Sequence, residues 1–385
     1  MISIKKVFTI GNGPSSSHTI GPQKACEYIK NKYPNKKITE IIIYNSLALT
    51  SVGHGTNDVF LSNFPQAIIT KKIDHQFSPA CFFIKIDDLF NSSHKFESIG
   101  GGLLRIDDFD DIDDLTFPHN TFDSIKLFCH ENNLTLINYI KKFENDFSYL
   151  ENILDKMVAS VKNGLLASSI LPGPLEIKRK ANSVHQLAAA SRSDRLYISA
   201  YTYAVIEENA NGNQIVTAPT CGACGIIAGL VYYYFINKNV AREKVIEGLA
   251  IAGLFGALII TNATIAGSIG GCQAEIGSAT AMAAAMISYL NDAPIDIIEC
   301  SAEIAIEHSL GLTCDPILGY VQIPCIERNV LGSLRALDCY ELGLAVYKSR
   351  KISFDTVVKV MYETGLDLHP DYKETSLKGL AKYYT

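Results

Sequence analysis

The chain has 385 residues, 48% of them hydrophobic and 19% charged, and carries a net charge of −6. That length suits roughly two domains, and the charge argues against nucleic acid or an acidic membrane surface as a partner. The opening Met1-Ile-Ser-Ile-Lys-Lys-Val-Phe8 has no apolar stretch of signal-peptide length, so the expectation is a cytoplasmic protein whose 10 cysteines are reduced thiols.

Near the start, Gly13-Pro-Ser-Ser-Ser-His18-Thr19 joins a turn-forming Gly-Pro to three hydroxyls and an imidazole, and Gly21-Pro22 opens a helix through Ile29. Such a loop at a helix N-terminus can hold a carboxylate; alone it is an ordinary N-cap. Strand-type runs follow at Ile38 to Leu49 and Ala80 to Ile86, with a helix predicted from His54 between them. His54 stands between glycines in Gly53-His-Gly-Thr56, which leaves its imidazole uncrowded, suited to proton transfer, although a turn histidine more often hydrogen-bonds at the surface. These elements read as a small α/β domain, residues 1–106. Six aspartates among the eight residues Asp107 to Asp114 repel one another and favour solvent, so 107–118 reads as an acidic linker.

From residue 119 the texture changes. Leu171-Pro-Gly-Pro-Leu-Glu-Ile-Lys178-Arg179 places a cationic pair after a turn, the partner that a carboxylate substrate or a sulfide-rich cluster needs, a role also open to Arg328 beside Cys325, or else a solvated surface. Thr217-Ala-Pro-Thr220-Cys-Gly222-Ala-Cys224-Gly225 precedes a helix predicted from Ile226, whose first N–H groups are free for a substrate carboxylate. Cys221 and Cys224 have the C-x-x-C spacing of a redox pair or half a zinc site, or are two small packing residues. The longest apolar run, Gly248 to Ile260, falls short of the roughly 18 residues of a membrane span, so a buried helix is predicted there and another at Ala279 to Leu290. Cys272, Cys314 and Cys325 each stand where a short turn meets an apolar segment, in Gly270-Gly-Cys272-Gln-Ala-Glu275, Leu312-Thr-Cys314-Asp-Pro316 and Ile323-Pro-Cys325-Ile-Glu-Arg328-Asn329. Their spacings of 42 and 11 residues match neither a compact zinc motif nor a ferredoxin run. The fold class is α+β: a small N-terminal α/β domain, then a larger, mostly α-helical domain over 119–385.

Together with Ser98-Ile-Gly-Gly-Gly102, His308-Ser-Leu-Gly-Leu and Glu363-Thr-Gly-Leu-Asp-Leu-His369-Pro-Asp-Tyr-Lys-Glu-Thr-Ser376, these motifs resemble the iron–sulfur L-serine dehydratases of the single-chain type, in order along nearly the whole chain. The resemblance implies a carbon–nitrogen lyase that eliminates water from L-serine to give pyruvate and ammonia. It implies a [4Fe-4S] cluster on Cys272, Cys314 and Cys325, with one iron left open as a Lewis acid, and no pyridoxal phosphate. His54, Thr56 and His18 are the implied catalytic groups, with His54 as the base. Ser15, Ser16, Ser17 and Thr19 are implied to bind substrate, with Thr220, Gly222, Lys178 and Arg179 as further candidates. A homodimer is expected, with neither nucleic acid nor membrane as partner.

Two departures stand out. The stretch from Thr56 to Ser98 is short and lacks a His-Glu-Asn-like motif, and Gly379-Leu-Ala-Lys-Tyr-Tyr-Thr385 has no cysteine where some family members place one that caps the fourth iron. An open fourth position and an oxygen-sensitive cluster are therefore expected. Two other readings fit the same scaffold: a cysteine desulfidase-type lyase, and a non-catalytic iron–sulfur sensor.

Overall fold

The computed structural model describes residues 1–88, 90, 92–107, 109–110 and 115–384. Of the acidic linker expected at 107–118, Asp108, Asp111, Asp113 and Asp114 lie outside the described residues. The strands are β1 (Ile10–Asn12), β2 (Ile38–Tyr44), β3 (Ile68–Lys72), β4 (Cys81–Ile86), β5 (Ser93–Gly100), β6 (Leu103–Ile106), β7 (Phe109–Asp110) and β8 (Gln214–Val216). Six of them form one sheet in the order β3-β2-β4-β5-β6-β7, in which β2 runs parallel to β3 and antiparallel to β4. Alternate residues of β2 and β4 point to opposite faces, so Ile41, Ile43, Phe82 and Ile84 pack with Ala25 and Ile29 of the helix Gly21–Lys32, while Ile42, Tyr44 and Cys81 cover the other face.

The strand run expected to reach Leu49 stops at Tyr44. Asn45 takes a positive φ of 48°, and its Nδ2 donates to the carbonyls of Asp74 (2.9 Å) and Phe77 (3.0 Å), which turns the chain into the short helix Asn45–Thr50. The helix predicted from His54 begins at Thr56, because Gly55 adopts the left-handed conformation (φ 76°) as its N-cap and leaves His54 in the preceding turn.

The second half is an array of helices around one large apolar core. Arg242–Asn262 passes through its middle with Leu249 to Ile259 buried; it is long and apolar enough for a membrane span, but here it is enclosed by protein. Ser278–Leu290 packs beside it, and Asp194–Ala210 lies against Cys224–Tyr232 so closely that a Cβ on Gly229 would stand 2.4 Å from Thr202 Oγ1. Met1, Ile4, Val7 and Phe8 join this helical core, and β1 pairs antiparallel with β8. The chain start is thus fastened to the helical unit before the sheet begins.

The two units meet along a narrow seam. A Cβ on Gly53 would lie 2.3 Å from the Gly319 carbonyl, one on Gly101 3.1 Å from the Pro219 carbonyl, and the Ser46 hydroxyl donates to the Glu374 carbonyl at 2.9 Å. Both halves of the site lie on this seam.

Candidate active site

Three buried side chains from distant parts of the chain converge at the seam: His18, His54 and Glu374, whose ligand atoms lie within 4.8 Å of one another. The imidazole centroids are 4.3 Å apart, and Glu374 Oε1 stands 3.3 Å from His54 Nε2 and 3.7 Å from His18 Nδ1. His18 is engaged at both nitrogens, with Ser15 Oγ 3.1 Å from Nδ1 and Thr50 Oγ1 3.0 Å from Nε2. Burial, and then the neighbouring His54, push its pKa down to about 3, so His18 is a neutral ring at physiological pH. His54 differs: its Nδ1 is buried and meets no partner among the described residues, and neither does Thr56 Oγ1. Burial alone would raise the Glu374 carboxyl, yet the imidazoles and the Ser46 hydroxyl hold it below its usual range.

Beside this triad lie the three cysteines. Cys272 follows Gly271, at φ 72°; Cys314 lies in an extended loop paired with Lys373; Cys325 opens the helix Cys325–Val346. All three are buried. The sulfurs of Cys272 and Cys314 and a Glu275 oxygen lie within 4.8 Å of one another. Cys325 is close enough to feel Cys272, Glu275 and Arg328 electrostatically. A hydrogen bond from the Cys314 thiol, opposed by burial and helped by Arg328, brings the Cys272 thiol down to about 7, while Cys314 and Cys325 are pushed up. Burial first, then Cys272 and Glu374, raise the Glu275 carboxyl well above its usual range. The Glu374 N–H donates to the Cys314 carbonyl at 2.8 Å, which ties the triad to a thiol-bearing loop.

The donor set fits a soft-metal cofactor. The Cys272 and Cys314 sulfurs lie within 4.8 Å of one another, Cys325 stands outside that group, and the Arg328 guanidinium, hydrogen-bonded to the Cys272 thiol, is anchored by donating to the Thr313 carbonyl at 2.5 Å. The space is kept open by glycine: a Cβ on Gly267 would lie 2.7 Å from Glu275 Oε2 and 3.4 Å from Cys314 Sγ.

A family model for the serine dehydratase alpha chain matches residues 38–381, and one for the serine dehydratase beta chain matches residues 3–66. This chain belongs to the serine dehydratase family. It is 32% identical to an L-serine dehydratase of Haemophilus influenzae, over 99% of each chain. It is also 32% identical to L-serine dehydratase 2 of Escherichia coli and to an L-serine dehydratase of Helicobacter pylori, over 99% of this chain and 98% of theirs. The Haemophilus alignment runs over 455 residues against 385 here, so that relative has segments this serine dehydratase lacks.

Within this family member, the remaining residues singled out from sequence divide sharply. Ser15, Ser16, Ser17 and Thr19 are buried around His18, and the Thr19 hydroxyl donates to the Asn12 and Ser15 carbonyls. Thr220 donates to Glu275 Oε1 at 2.8 Å, and a Cβ on Gly222 would lie 3.0 Å from that oxygen, so both border the thiol site. The Arg179 side chain is buried and paired with Glu208 at 2.6 Å; Glu208 accepts from Asn213, whose carbonyl accepts the Gly13 N–H, so the guanidinium buttresses the serine-rich loop from behind. Lys178 is exposed. Cys221 and Cys224 are fully buried, and both thiols are pushed up by burial, as expected of packing residues. Glu374, Glu275 and Thr50 were not among the sequence candidates. Glu374 stands inside the Lys-Glu-Thr-Ser376 run, but a glutamate in a polar stretch carries no signal of burial.

Proposed function

We propose that this chain is an L-serine dehydratase that converts L-serine to pyruvate and ammonia, with Cys272, Cys314 and Cys325 holding a [4Fe-4S] cluster and no pyridoxal phosphate. What supports this reading is the close approach of the buried Cys272 and Cys314 thiols beside Arg328, with the buried Cys325 near enough to act on both, next to a histidine with a free, buried nitrogen. A cluster held by these three thiols would supply a Lewis acid for the substrate hydroxyl.

The protein's own groups do the rest. His54 Nδ1 takes the α-proton, and the electron pair left on Cα forms the double bond as the hydroxyl leaves Cβ. Returning the proton to the departing hydroxide gives water and restores the neutral ring. Thr56 Oγ1, buried without a partner among the described residues, is available to substrate, while Thr220, whose hydroxyl is engaged by Glu275, and Gly222 border the thiols. Ser15, with Ser16, Ser17 and Thr19, shapes the pocket by fixing His18, which acts as a neutral platform for His54. Arg179 acts from outside this constellation, through Glu208, and Lys178 is an exposed position.

Residues 1–106 carry the histidines and 119–385 the cluster, with 107–118 connecting them; catalysis requires the two units together. A cytoplasmic homodimer is the expected working form. The relatives reported above are named L-serine dehydratases, which favours serine over cysteine as substrate and catalysis over sensing. The test is anaerobic purification with iron and sulfide analysis, followed by a serine-to-pyruvate assay on the same sample. A pyridoxal Schiff-base absorbance without iron would overturn the reading.

A further inference from the structure

Which ring nitrogen of His54 carries the proton decides whether the ring can act as a base toward substrate. We propose that Glu374 is the positioning residue of this site: its carboxylate takes the Nε2–H of His54 and so presents the Nδ1 lone pair to the substrate, while its backbone holds the Cys314 loop in register with that base. The proposal rests on the serine dehydratase reading with His54 as base, and adds the group that makes His54 competent.

The geometry leaves few alternatives. Glu374 Oε1 faces both imidazoles, at 3.3 Å from His54 Nε2 and 3.7 Å from His18 Nδ1. His18 has no proton to offer it. The Thr50 hydroxyl gives its own proton to the Ser46 carbonyl at 2.8 Å, so its contact with His18 Nε2 requires the ring to donate there. His18 Nδ1 is then the acceptor for the Ser15 hydroxyl at 3.1 Å. The carboxylate's imidazole donor is therefore His54 Nε2. The opposite tautomer would set a bare Nε2 lone pair against a carboxylate oxygen and bury an Nδ1–H with no acceptor among the described residues, and both are unfavourable in a buried site. The His18 ring, 4.3 Å away and tilted 38°, limits rotation of His54 out of this arrangement.

The backbone of the same residue reaches the thiol site. The Glu374 N–H donates to the Cys314 carbonyl and the Cys314 N–H to the Tyr372 carbonyl, each at 2.8 Å, while the Ser46 hydroxyl donates to the Glu374 carbonyl at 2.9 Å. Glu374 adopts φ 57°, a conformation a non-glycine residue keeps only where its surroundings over-determine it. One strained residue thus touches the base, a thiol-bearing loop and the sheet unit at once. Hydrogen-bonded carboxylates that orient a histidine are worth about 10- to 100-fold in function when removed.

The experiment is a substitution series at position 374 in the full-length, anaerobically iron-loaded enzyme. Glu374→Leu keeps the bulk and removes the acceptor; it should lower kcat about 100-fold while KM for serine stays within about threefold. Glu374→Gln keeps an acceptor oxygen without the charge and should lose about 10-fold, and Glu374→Asp should recover part of the loss. Histidine-selective 15N spectra of the iron-free full chain, with His54 assigned by its loss in His54→Gln, should show an Nε2–H tautomer in the wild type and a mixture in Glu374→Leu. Iron content and melting temperature establish that the variants are folded and loaded. A Glu374→Leu enzyme with wild-type kcat, or a His54 tautomer indifferent to residue 374, would overturn the proposal. If Glu374→Leu fails to fold, the Gln and Asp variants decide by kcat, equal rates for all three enzymes counting against it. A wild-type chain that binds iron but does not turn over serine would sink the functional reading alone, since the tautomer is measured independently.

Discussion

Asn329 closes the turn at Gly222. Its Nδ2 donates to the Gly222 carbonyl at 2.7 Å and its Oδ1 accepts the Gly225 N–H at 3.0 Å, from a fully buried position one turn after Cys325. A single amide therefore sets the helix bearing one thiol against the loop that carries Thr220. Asn329→Ala leaves two buried backbone groups unpaired and should cost about 2–4 kcal/mol. Denaturant unfolding checks the stability, and a raised KM for serine is expected from the loosened loop.

Replacement of the thiols separates ligands from packing residues. Cys272→Ser, Cys314→Ser and Cys325→Ser should each abolish stable iron loading and lower turnover by more than about 100-fold, whereas Cys221→Ser and Cys224→Ser should keep iron and sulfide at wild-type levels. Inductively coupled plasma analysis of the anaerobic proteins reads this directly. Retained iron in all three of the first set would be fatal to the ligand assignment.

His18 predicts an acid limb of stability. Its folded pKa of about 3 lies below the ordinary 6.5, so between those values the unfolded chain takes up a proton that the folded chain refuses. Stability is unaffected by this group above about pH 6.5 and falls by about 1.4 kcal/mol per pH unit below it, until about pH 3. Melting curves from pH 7.5 to 5 should show the wild type losing stability more steeply than His18→Gln. Because His54 and Glu374 lie against His18 and respond to its removal, the difference between the two slopes reports His18 together with these two neighbours. Parallel slopes would refute the assignment.

Gly53 is required by proximity rather than by backbone angle. Any Cβ there would meet the Gly319 carbonyl carbon at 2.4 Å, and backbone cannot rotate away as a side chain does. Gly53→Ala should cost about 1–3 kcal/mol by forced separation. The displaced turn carries His54, so kcat should fall in a protein that remains folded by circular dichroism.

The two cations of the Leu171 motif should behave differently. Arg179→Met strands the buried Glu208 carboxylate and should destabilise the protein by about 3–5 kcal/mol. Lys178→Met, at an exposed position, should stay within about 0.5 kcal/mol of wild type. A Lys178→Met enzyme with a tenfold higher KM would instead make this lysine a substrate contact.

Much of the architecture was legible along the chain. The apolar runs at Gly248 to Ile260 and Ala279 to Leu290 became buried helices because nothing else satisfies so much apolar surface. The strand run after Ile38 was readable up to Tyr44 and misleading beyond it, since the turn at Asn45 is made by carbonyls of residues 74 and 77 that no local pattern reveals. Arg179 illustrates the same limit. A basic pair after Pro-Gly has the signature of surface or of anion binding, and only the position of Glu208 shows that one member is buried as a strut.

The order of residues already sets out the chemistry on offer: three thiols in turns, a glycine-flanked imidazole and a serine-rich loop, since residue type and local backbone freedom are properties of short segments. Packing alone selects which of those groups keeps an unpartnered atom. His18 and His54 are equivalent on paper, yet Ser15 and Thr50 occupy one ring, while Glu374, contributed from a segment 328 residues beyond Ser46, leaves the other with an open nitrogen. Hydrogen-bond partnership in a buried site depends on distances of a few ångströms between parts of the chain that are far apart in sequence, and those distances exist only once the two cores have packed.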